Sequence, residues 1–307
     1  MVKNTEQFRK DLVRSLPLYF MLLPGLIYIF INNYIPMAGI VVAFKKYSAQ
    51  LGIWGSKWVG FSNFTYLFRN DASILIRNTL LYNTAFIFLD LFFGILIAII
   101  VTDVFSKKAR KVYQSAILLP FLVSIVIVSY IVYAFLSTEN GMVNSVLTML
   151  GKEEIQWYAT PGYWPFILCF VHLWKGVGYG CMIYIAGISG IDPALYEAAR
   201  LDGASKWKQI RFITLPELIP SITTLLLLNV GHIFNSDFGL FYQVPQNSGA
   251  LYSVTNTIDT YVYRALISAG GIGRSSAASV FQSLVGFILV VLSNFIVSRI
   301  DKDNAIF

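Results

Sequence analysis

Six long runs of apolar residues alternate with shorter polar segments along the chain. The runs lie near residues 17–36, 79–101, 113–136, 164–188, 216–238 and 279–299. The hydrocarbon core of a bilayer is about 30 Å thick, and a helix of about 20 apolar residues crosses it. A β-barrel would instead show strands of about ten alternating residues. Because backbone groups in lipid must be bonded within their own segment, the pattern predicts an all-α polytopic membrane protein with six transmembrane helices.

Composition agrees with this prediction. Hydrophobic residues make up 56% of the chain, charged residues 13%, and the mean hydropathy is +0.65, whereas soluble domains average about 25% charged residues. We attribute the net charge of +7 to the membrane topology and not to nucleic-acid binding, because the pattern offers no basic soluble face for a nucleic acid. No small-residue cleavage motif clearly follows the first run, so the first helix is expected to remain as an anchor.

The distribution of Lys and Arg predicts the orientation, since these residues are enriched in cytoplasmic loops. If both termini are cytoplasmic, the inner segments hold the larger set: Lys3, Arg9, Lys10, Arg14, Lys107, Lys108, Arg110, Lys111, Arg200, Lys206, Lys208, Arg211, Arg299 and Lys302. The outer segments hold the smaller set: Lys45, Lys46, Lys57, Arg69, Arg77, Lys152, Arg264 and Arg274. The predicted domains are therefore a cytoplasmic N-terminal segment (1–16), one transmembrane domain (17–300) and a cytoplasmic tail (301–307).

Residue types that carry redox, metal or catalytic chemistry are sparse. Cys169 and Cys181 fall in one predicted helix about 18 Å apart, too far for a disulfide. His172 and His232 fall on different predicted spans, so no metal site is expected. The chain has no G-x-x-x-x-G-K-[ST] loop, so it is not expected to hydrolyse ATP itself. No catalytic constellation is present in the spans, which disfavours an intramembrane enzyme.

The loop at 189–215 is unusually rich in charge for a segment between two apolar runs. Its sequence includes "ALYEAARLDGASKWKQIRFITLPELIP". Asp192 can cap a helix whose first residue is proline, and Gly203 can adopt the left-handed conformation that ends a helix. Ser205 can cap a second short helix, which Pro216 is expected to end. Two short helices along the membrane surface are predicted, and a simple surface anchor is the alternative interpretation.

The spacing within this loop resembles in full the cytoplasmic coupling signature of ABC importer permeases, E-A-A-x3-G-x9-I-x-L-P. The matching residues are Glu197, Ala198, Ala199, Gly203, Ile213, Leu215 and Pro216. Further matches resemble the version found in permeases for sugars and oligosaccharides: Pro193, Tyr196, Asp202, Ala204 and Pro220. The resemblance implies the type I importer fold, in which the Glu of the motif contacts an ATPase and the Gly permits a sharp turn. It places the ATPase-coupling group at Glu197, Ala198, Ala199, Asp202 and Gly203.

What the resemblance implies about function is specific. The chain is expected to be a pore-forming subunit of an ATP-driven importer of a sugar or oligosaccharide in the plasma membrane of a prokaryote. Expected partners are a second homologous permease, an extracellular binding protein, and two ATPase subunits or domains that hold ATP and magnesium. No cofactor is expected in this chain. The alternative is the same architecture importing a peptide, a metal or an anion.

Polar and aromatic residues inside the predicted spans are candidates for the translocation path, because lipid tolerates unpaired polar groups poorly. The candidates are Trp174, Lys175, Tyr179, Asn229, His232, Asn235 and Asp237. Asn229, His232 and Ser236 are predicted to form a stripe on span five, and Asn83 and Asp90 to share one face of span two. Two alternatives stay open. Lys175 could instead pair with Asp90 or Asp237, and Asn229 and His232 could hydrogen-bond across helices.

Overall fold

The computed structural model describes the backbone of residues 2–104, 106–268 and 270–300, and the side chains of residues 15–69, 71–104, 106–268 and 270–299. The predicted tail 301–307 lies outside the described residues. In chain order the α-helices are α1 (Val2–Ile29), α2 (Ile35–Met37), α3 (Gly52–Gly55), α4 (Ser62–Asn70), α5 (Ala72–Thr102), α6 (Lys107–Leu122), α7 (Ile125–Leu136), α8 (Met142–Met149), α9 (Trp164–Gly190), α10 (Pro193–Leu201), α11 (Lys206–Gln209), α12 (Leu215–Gly231), α13 (Phe238–Gln243), α14 (Tyr252–Thr255), α15 (Ile258–Ile267) and α16 (Ile272–Ile300). Two short strands, β1 (Lys45–Lys46) and β2 (Lys57–Trp58), pair antiparallel.

The described residues contain five helical segments long and apolar enough to cross a membrane, and a bent pair of helices makes a sixth. The five segments are Ser15–Phe44, Ala72–Thr102, Pro161–Gly190, Lys206–Gly231 and Ile272–Arg299. The bent pair is α6 with α7. The all-α fold with six candidate spans is thus confirmed, although two of the spans differ in detail from the sequence prediction.

The run predicted as one third span is in fact two helices that meet at 91°. Pro120 removes a backbone donor near the end of α6, and Val123 is extended. The Ser124 side chain then accepts a hydrogen bond from the N–H of Ile127 and begins α7. Lys175 on α9 donates to backbone carbonyls at this break. Carbonyl groups that an unbroken helix would satisfy are therefore satisfied by a side chain from another span.

The fifth span ends at Gly231, short of the predicted end at 238. Side chains from other elements bind the backbone of the turn that follows. The Asn83 amide donates to two of its carbonyls at 2.8 and 3.0 Å, and the Gln282 amide donates to a third at 2.8 Å. The N–H of Ser236 donates to the Asp259 carboxylate at 2.7 Å. These bonds compete with helical ones, and the stripe predicted on span five does not form.

The second short helix of the charged loop does not end before span five. α11, a π-helical turn (Ile210–Thr214) and α12 form one continuous segment. The N–H of Leu215 bonds to the carbonyl of Ile210, five residues earlier. Pro216 lacks an N–H and would crowd an ordinary α-turn, whereas the wider π turn accommodates it. The charged loop is therefore one short helix followed by the start of a long one.

The helices α5 and α9 form the central packed pair of the chain. A β-carbon added at Gly94 would lie 3.0 Å from the Tyr184 ring, and one at Gly178 would lie 2.0 Å from the carbonyl oxygen of Ile117. Close helix approach, the expected role of small residues in membrane bundles, thus explains both glycines. Trp164, at the start of α9, is fully buried.

The first span stands apart from the rest of the chain. Phe20 and Met21 are 69% and 80% exposed, and among the described elements α1 packs substantially only on the π-helical turn (Phe30–Tyr34) that continues it. Its connection to the bundle is at the other end, where a 3₁₀ helix (Ala38–Phe44) packs along α16. This apolar surface is available for contact with lipid or with another protein.

Candidate functional site

The short helix α10 is built by local signals at both of its ends. The Asp192 carboxylate accepts a hydrogen bond from the N–H of Ala194 at 2.9 Å, and Pro193 is the first helical residue. At the other end Gly203 has a φ of +75°, and the N–H of Ala204 returns to the carbonyl of Ala199 at 2.8 Å. The left-handed region disfavours other residues. The predicted cap and turn are both confirmed.

The predicted coupling residues lie together on and just after α10. Glu197, Ala198 and Asp202 are exposed, and Ala199 is partly buried. Leu201, within the same motif, is 90% exposed. Together, α10 and the residue after it present a leucine, a small alanine and two carboxylates. This surface offers both apolar and charged contacts to another protein.

A cavity of about 610 Å³ lies behind α10, between this helix and the ends of α5 and α6. Lys206 forms an ion pair with Asp103 at its wall. The Tyr196 hydroxyl, on α10, hydrogen-bonds with the Thr214 hydroxyl at 2.9 Å. Polar contacts therefore connect α10 to the π turn below span five, and α11 to the end of span two. These contacts were not predicted, because their partners are distant in the sequence.

The three path candidates on α9 separate into two groups. Lys175 donates to the carbonyls of Phe121 and Val123 at 2.9 and 2.8 Å, and the Tyr179 ring stacks on Phe121 with centroids 4.7 Å apart. Trp174 instead lines an apolar cavity of about 570 Å³ between α7 and α9. Lys175 and Tyr179 thus hold the break in the third span, while Trp174 faces an apolar groove.

The alternative that Lys175 pairs with Asp90 or Asp237 is wrong. Among the described residues, neither carboxylate lies within ion-pair distance of the Lys175 ammonium group. Asp90 instead contacts His172 on α9, with 3.0 Å between Oδ2 and Nε2. The His172 ring stacks on Phe86, with the planes 5° apart. A carboxylate and an imidazole thus bridge the central pair α5 and α9. Asn83, predicted on the same face as Asp90, binds the turn after span five.

The candidates of span five lie around the end of α12 and in the turn beyond it. Asn229 is exposed on the helix, and its side chain makes no hydrogen bond with any described residue. His232 Nδ1 lies 2.9 Å from the carbonyl of Leu228. Asn235 Oδ1 accepts from Gln282, and Asp237 caps α13 by accepting from the N–H of Leu240. No hydrogen bond or ion pair between described residues joins this group to Lys175 and Tyr179.

A buried polar network that sequence reasoning missed lies beside this turn. Both oxygens of Asp259 accept from the Gln282 amide at 3.1 Å, and one also accepts from the Ser236 hydroxyl at 2.8 Å. Gln282 is only 9% exposed. Each donor is matched by an acceptor, as buried polar groups require. The only sequence signal was a glutamine inside an apolar span.

Arg264 on α15 orders the segment before it. Its guanidinium donates to Asn247 at 2.8 Å and to Asn256, and lies 4.2 Å from the centroid of the Tyr252 ring. Burial lowers the pKa of Arg264, and the neighbouring Tyr252 opposes this shift. Gln246 and Asn247 have φ values of 53° and 47°, which non-glycine residues rarely adopt. Arg264 therefore anchors a strained turn.

Comparison with known proteins gives consistent matches over nearly the whole chain. The family model for the binding-protein-dependent transport system inner membrane component matches residues 90–303. Protein LplB of Bacillus subtilis (strain 168) is 34% identical, over 94% of this chain and 90% of that protein. The polygalacturonan/rhamnogalacturonan transport system permease protein YteP of the same organism is 35% identical, over 95% and 91%.

Solved structures agree in fold. A chain from a bacterial ABC transporter involved in the import of the acidic polysaccharide alginate matches with a TM-score of 0.87 and 33% identity, over 96% of this chain and 99% of that one. A chain from the alginate transporter in complex with an alginate pentasaccharide-bound periplasmic protein matches with a TM-score of 0.85 and 34% identity, over 95% and 98%. The family match covers well over half of the chain, and both relatives exceed 30% identity. The chain belongs to the binding-protein-dependent transport system inner membrane components, the permease subunits of ABC transporters.

Proposed function

We propose that this chain is a pore-forming permease subunit of an ATP-driven importer for a sugar or oligosaccharide, which an extracellular binding protein delivers. The observation that carries the proposal is the exposed helix α10 with its left-handed turn at Gly203. Its sequence fills the coupling signature of the family at every position. The chain has no nucleotide-binding loop of its own, so hydrolysis of ATP with magnesium takes place on two partner ATPase subunits or domains.

The proposed substrate class is supported by the relatives. YteP is named for polygalacturonan and rhamnogalacturonan, and the solved alginate transporter imports an acidic polysaccharide. Both are about one-third identical to this chain over nearly its full length. An importer of a peptide, metal or anion with the same architecture is the alternative. The described residues contain no cluster of three or more His, Cys, Asp or Glu suited to a metal ion.

The partners follow from surfaces that this chain exposes. The alginate transporter was solved with its periplasmic protein, which supports an extracellular binding protein here. The exposed first span supports a second permease that covers it, since its apolar side chains contact little of this chain. The exposed face of α10 is the proposed seat of an ATPase, with Glu197 as the charged contact.

The proposed mechanism uses the contacts behind α10. The Tyr196–Thr214 hydrogen bond joins α10 to the segment that continues as span five, and the Lys206–Asp103 ion pair joins that segment to span two. When ATP closes the two ATPases, α10 moves with them. Spans two and five are then displaced together, which opens the pore alternately to each side.

A purified complex tests this proposal directly. We expect the tagged chain, extracted from its native cells in mild detergent, to copurify with a second permease and an ATPase, identified by mass spectrometry. We further expect denaturation of the complex to release an oligosaccharide, which mass spectrometry identifies. A released peptide or metal would contradict the sugar assignment, and the absence of any ATPase would contradict the importer itself.

The proposed orientation places both termini in the cytoplasm. Ser106 lies between α5 and α6 and Gly151 follows α8, and both are exposed. In a chain with Cys169 and Cys181 replaced by alanine, we expect a single cysteine at position 151 to react with an impermeant maleimide in intact cells. A single cysteine at position 106 should react only after the membrane is opened. Equal labelling of both positions from outside would overturn the orientation.

A further inference from the structure

The cavity behind α10 is lined by more cationic than anionic side chains, and the proposed coupling role does not explain this excess. Arg110, Arg200 and Lys206 line it, and the single lining carboxylate, Asp103, is bound to Lys206. Among the residues that the structure describes, Arg110 donates only to the backbone carbonyls of Thr102 and Val104. Arg200 makes no ion pair or hydrogen bond with any residue that the structure describes. Two guanidinium groups thus line one cavity without a carboxylate partner in the described part of the chain.

Two buried polar atoms at the same cavity also have unused hydrogen-bonding capacity. Gln209 is 5% exposed; its amide nitrogen donates to the carbonyl of Ala204 at 3.0 Å, but its Oε1 has no partner among the described residues. The same is true of Nε of Arg110. Buried polar groups are nearly always paired. An unpaired acceptor on Gln209 and an unpaired donor within the Arg110 guanidinium, at the cavity that Arg200 also lines, indicate a polar ligand.

Part of the remaining wall of the cavity is apolar. Ile99 and Ile188 come from the ends of spans two and four, and Ile210 from the π turn. The cavity therefore combines cationic groups with hydrocarbon groups from the ends of the spans. This combination fits a molecule with an anionic head and a less polar body.

We propose that this cavity binds a phosphate-bearing ligand, either the headgroup of an anionic lipid or a small soluble phosphate ester. Arg110 and Arg200 bind its phosphate oxygens, because the planar guanidinium group matches the geometry of phosphate and keeps its charge. The Oε1 atom of Gln209 accepts a hydrogen bond from a hydroxyl group of the ligand. Such a ligand bridges α10 to the start of α6 and so stiffens the link between the ATPase and the pore. The stiffening of this link rests on the proposed function, whereas the binding of the phosphate-bearing ligand does not.

Thermal unfolding of the purified, delipidated complex in nonionic detergent tests the binding. The probes are short-chain phosphatidylglycerol, glycerol 3-phosphate, and a diacylglycerol of equal chain length that lacks phosphate. We expect a saturable rise in Tm with a phosphate probe and none with diacylglycerol. A response to phosphatidylglycerol alone identifies a lipid site, whereas a response to glycerol 3-phosphate identifies a site for soluble esters.

Matched variants decide whether the cavity is responsible. Arg200→Gln is expected to raise the half-saturating probe concentration about tenfold, the effect of losing a hydrogen bond to a charged group. Lys208→Gln removes the same charge from exposed α11 outside the cavity, and should leave binding unchanged. Gln209→Glu, which adds a negative charge to the cavity that binds the phosphate, should also weaken binding. No phosphate response, or an equal response in Arg200→Gln and Lys208→Gln, would overturn the proposal, whatever the complex transports.

Discussion

Replacing Gly203 by valine is expected to uncouple ATP hydrolysis from uptake while the chain stays in the membrane. Gly203 has a φ of +75°, and a β-carbon there would meet no atom within 4 Å. The effect is therefore conformational: a non-glycine residue in this region costs about 1–3 kcal/mol, more so when it is β-branched. The turn should open and re-aim α10. We expect uptake per ATP hydrolysed to fall about tenfold, within the usual range of coupling energies.

The chain offers a matched control for this substitution. Gly151 has a φ of +70° in an exposed segment, and likewise has no neighbour within 4 Å of an added β-carbon. Gly151→Val imposes the same strain away from α10, so it should leave the ratio of uptake to hydrolysis unchanged. Both variants are compared after reconstitution of the complex in lipid vesicles. If Gly203→Val transports as well as Gly151→Val, the turn has no coupling role and α10 is a surface anchor.

A charge reversal on α10 addresses the same contact by a different route. Glu197→Lys should weaken ATPase retention during purification, since a like-charge contact at a docking face is unfavourable. Glu217→Lys makes the same reversal at the exposed start of α12, outside the proposed contact. Retention of the ATPase in both variants would remove Glu197 from the docking face but would leave the argument for Gly203 intact.

The short helix α10 and the turn after it could be predicted from sequence because their structure is decided locally. The Asp192 cap and the Gly203 turn each depend on residues within a few positions. The positions of the spans are likewise encoded in runs of apolar residues, which hydrophobic burial in lipid makes directly readable. Both features therefore need no knowledge of which helices are neighbours.

Two of the departures from the prediction occur where a distant side chain binds the backbone. The third span bends at Pro120, and Lys175, more than fifty residues later, binds the carbonyls that the break leaves free. The fifth span stops because Asn83 and Gln282 bind the turn beyond Gly231. In the hydropathy pattern, each of these residues is only a polar position within an apolar run. Only the packing of the helices reveals which backbone groups it binds.

Lys175→Ala is expected to slow transport strongly without preventing assembly. Its ammonium group donates to the carbonyls of Phe121 and Val123 at 2.9 and 2.8 Å. Loss of the group leaves these carbonyls unsatisfied, at about 1–3 kcal/mol each, so the 91° bend between α6 and α7 should loosen. A barrier higher by about 1.4 kcal/mol slows a step tenfold, so we expect the maximal uptake rate in vesicles to fall at least about tenfold.

Asn229→Ala separates this positioning role from contact with the transported sugar. Asn229 is exposed and its side chain has no hydrogen-bond partner among the described residues, so its loss should leave the bend intact. If it contacts the sugar, the concentration for half-maximal uptake rises and the maximal rate is kept. Lys175→Arg, whose guanidinium can still donate to two carbonyls, should recover most of the maximal rate. If Lys175→Ala instead raises only the half-maximal concentration, Lys175 contacts the sugar and the bend is maintained without it.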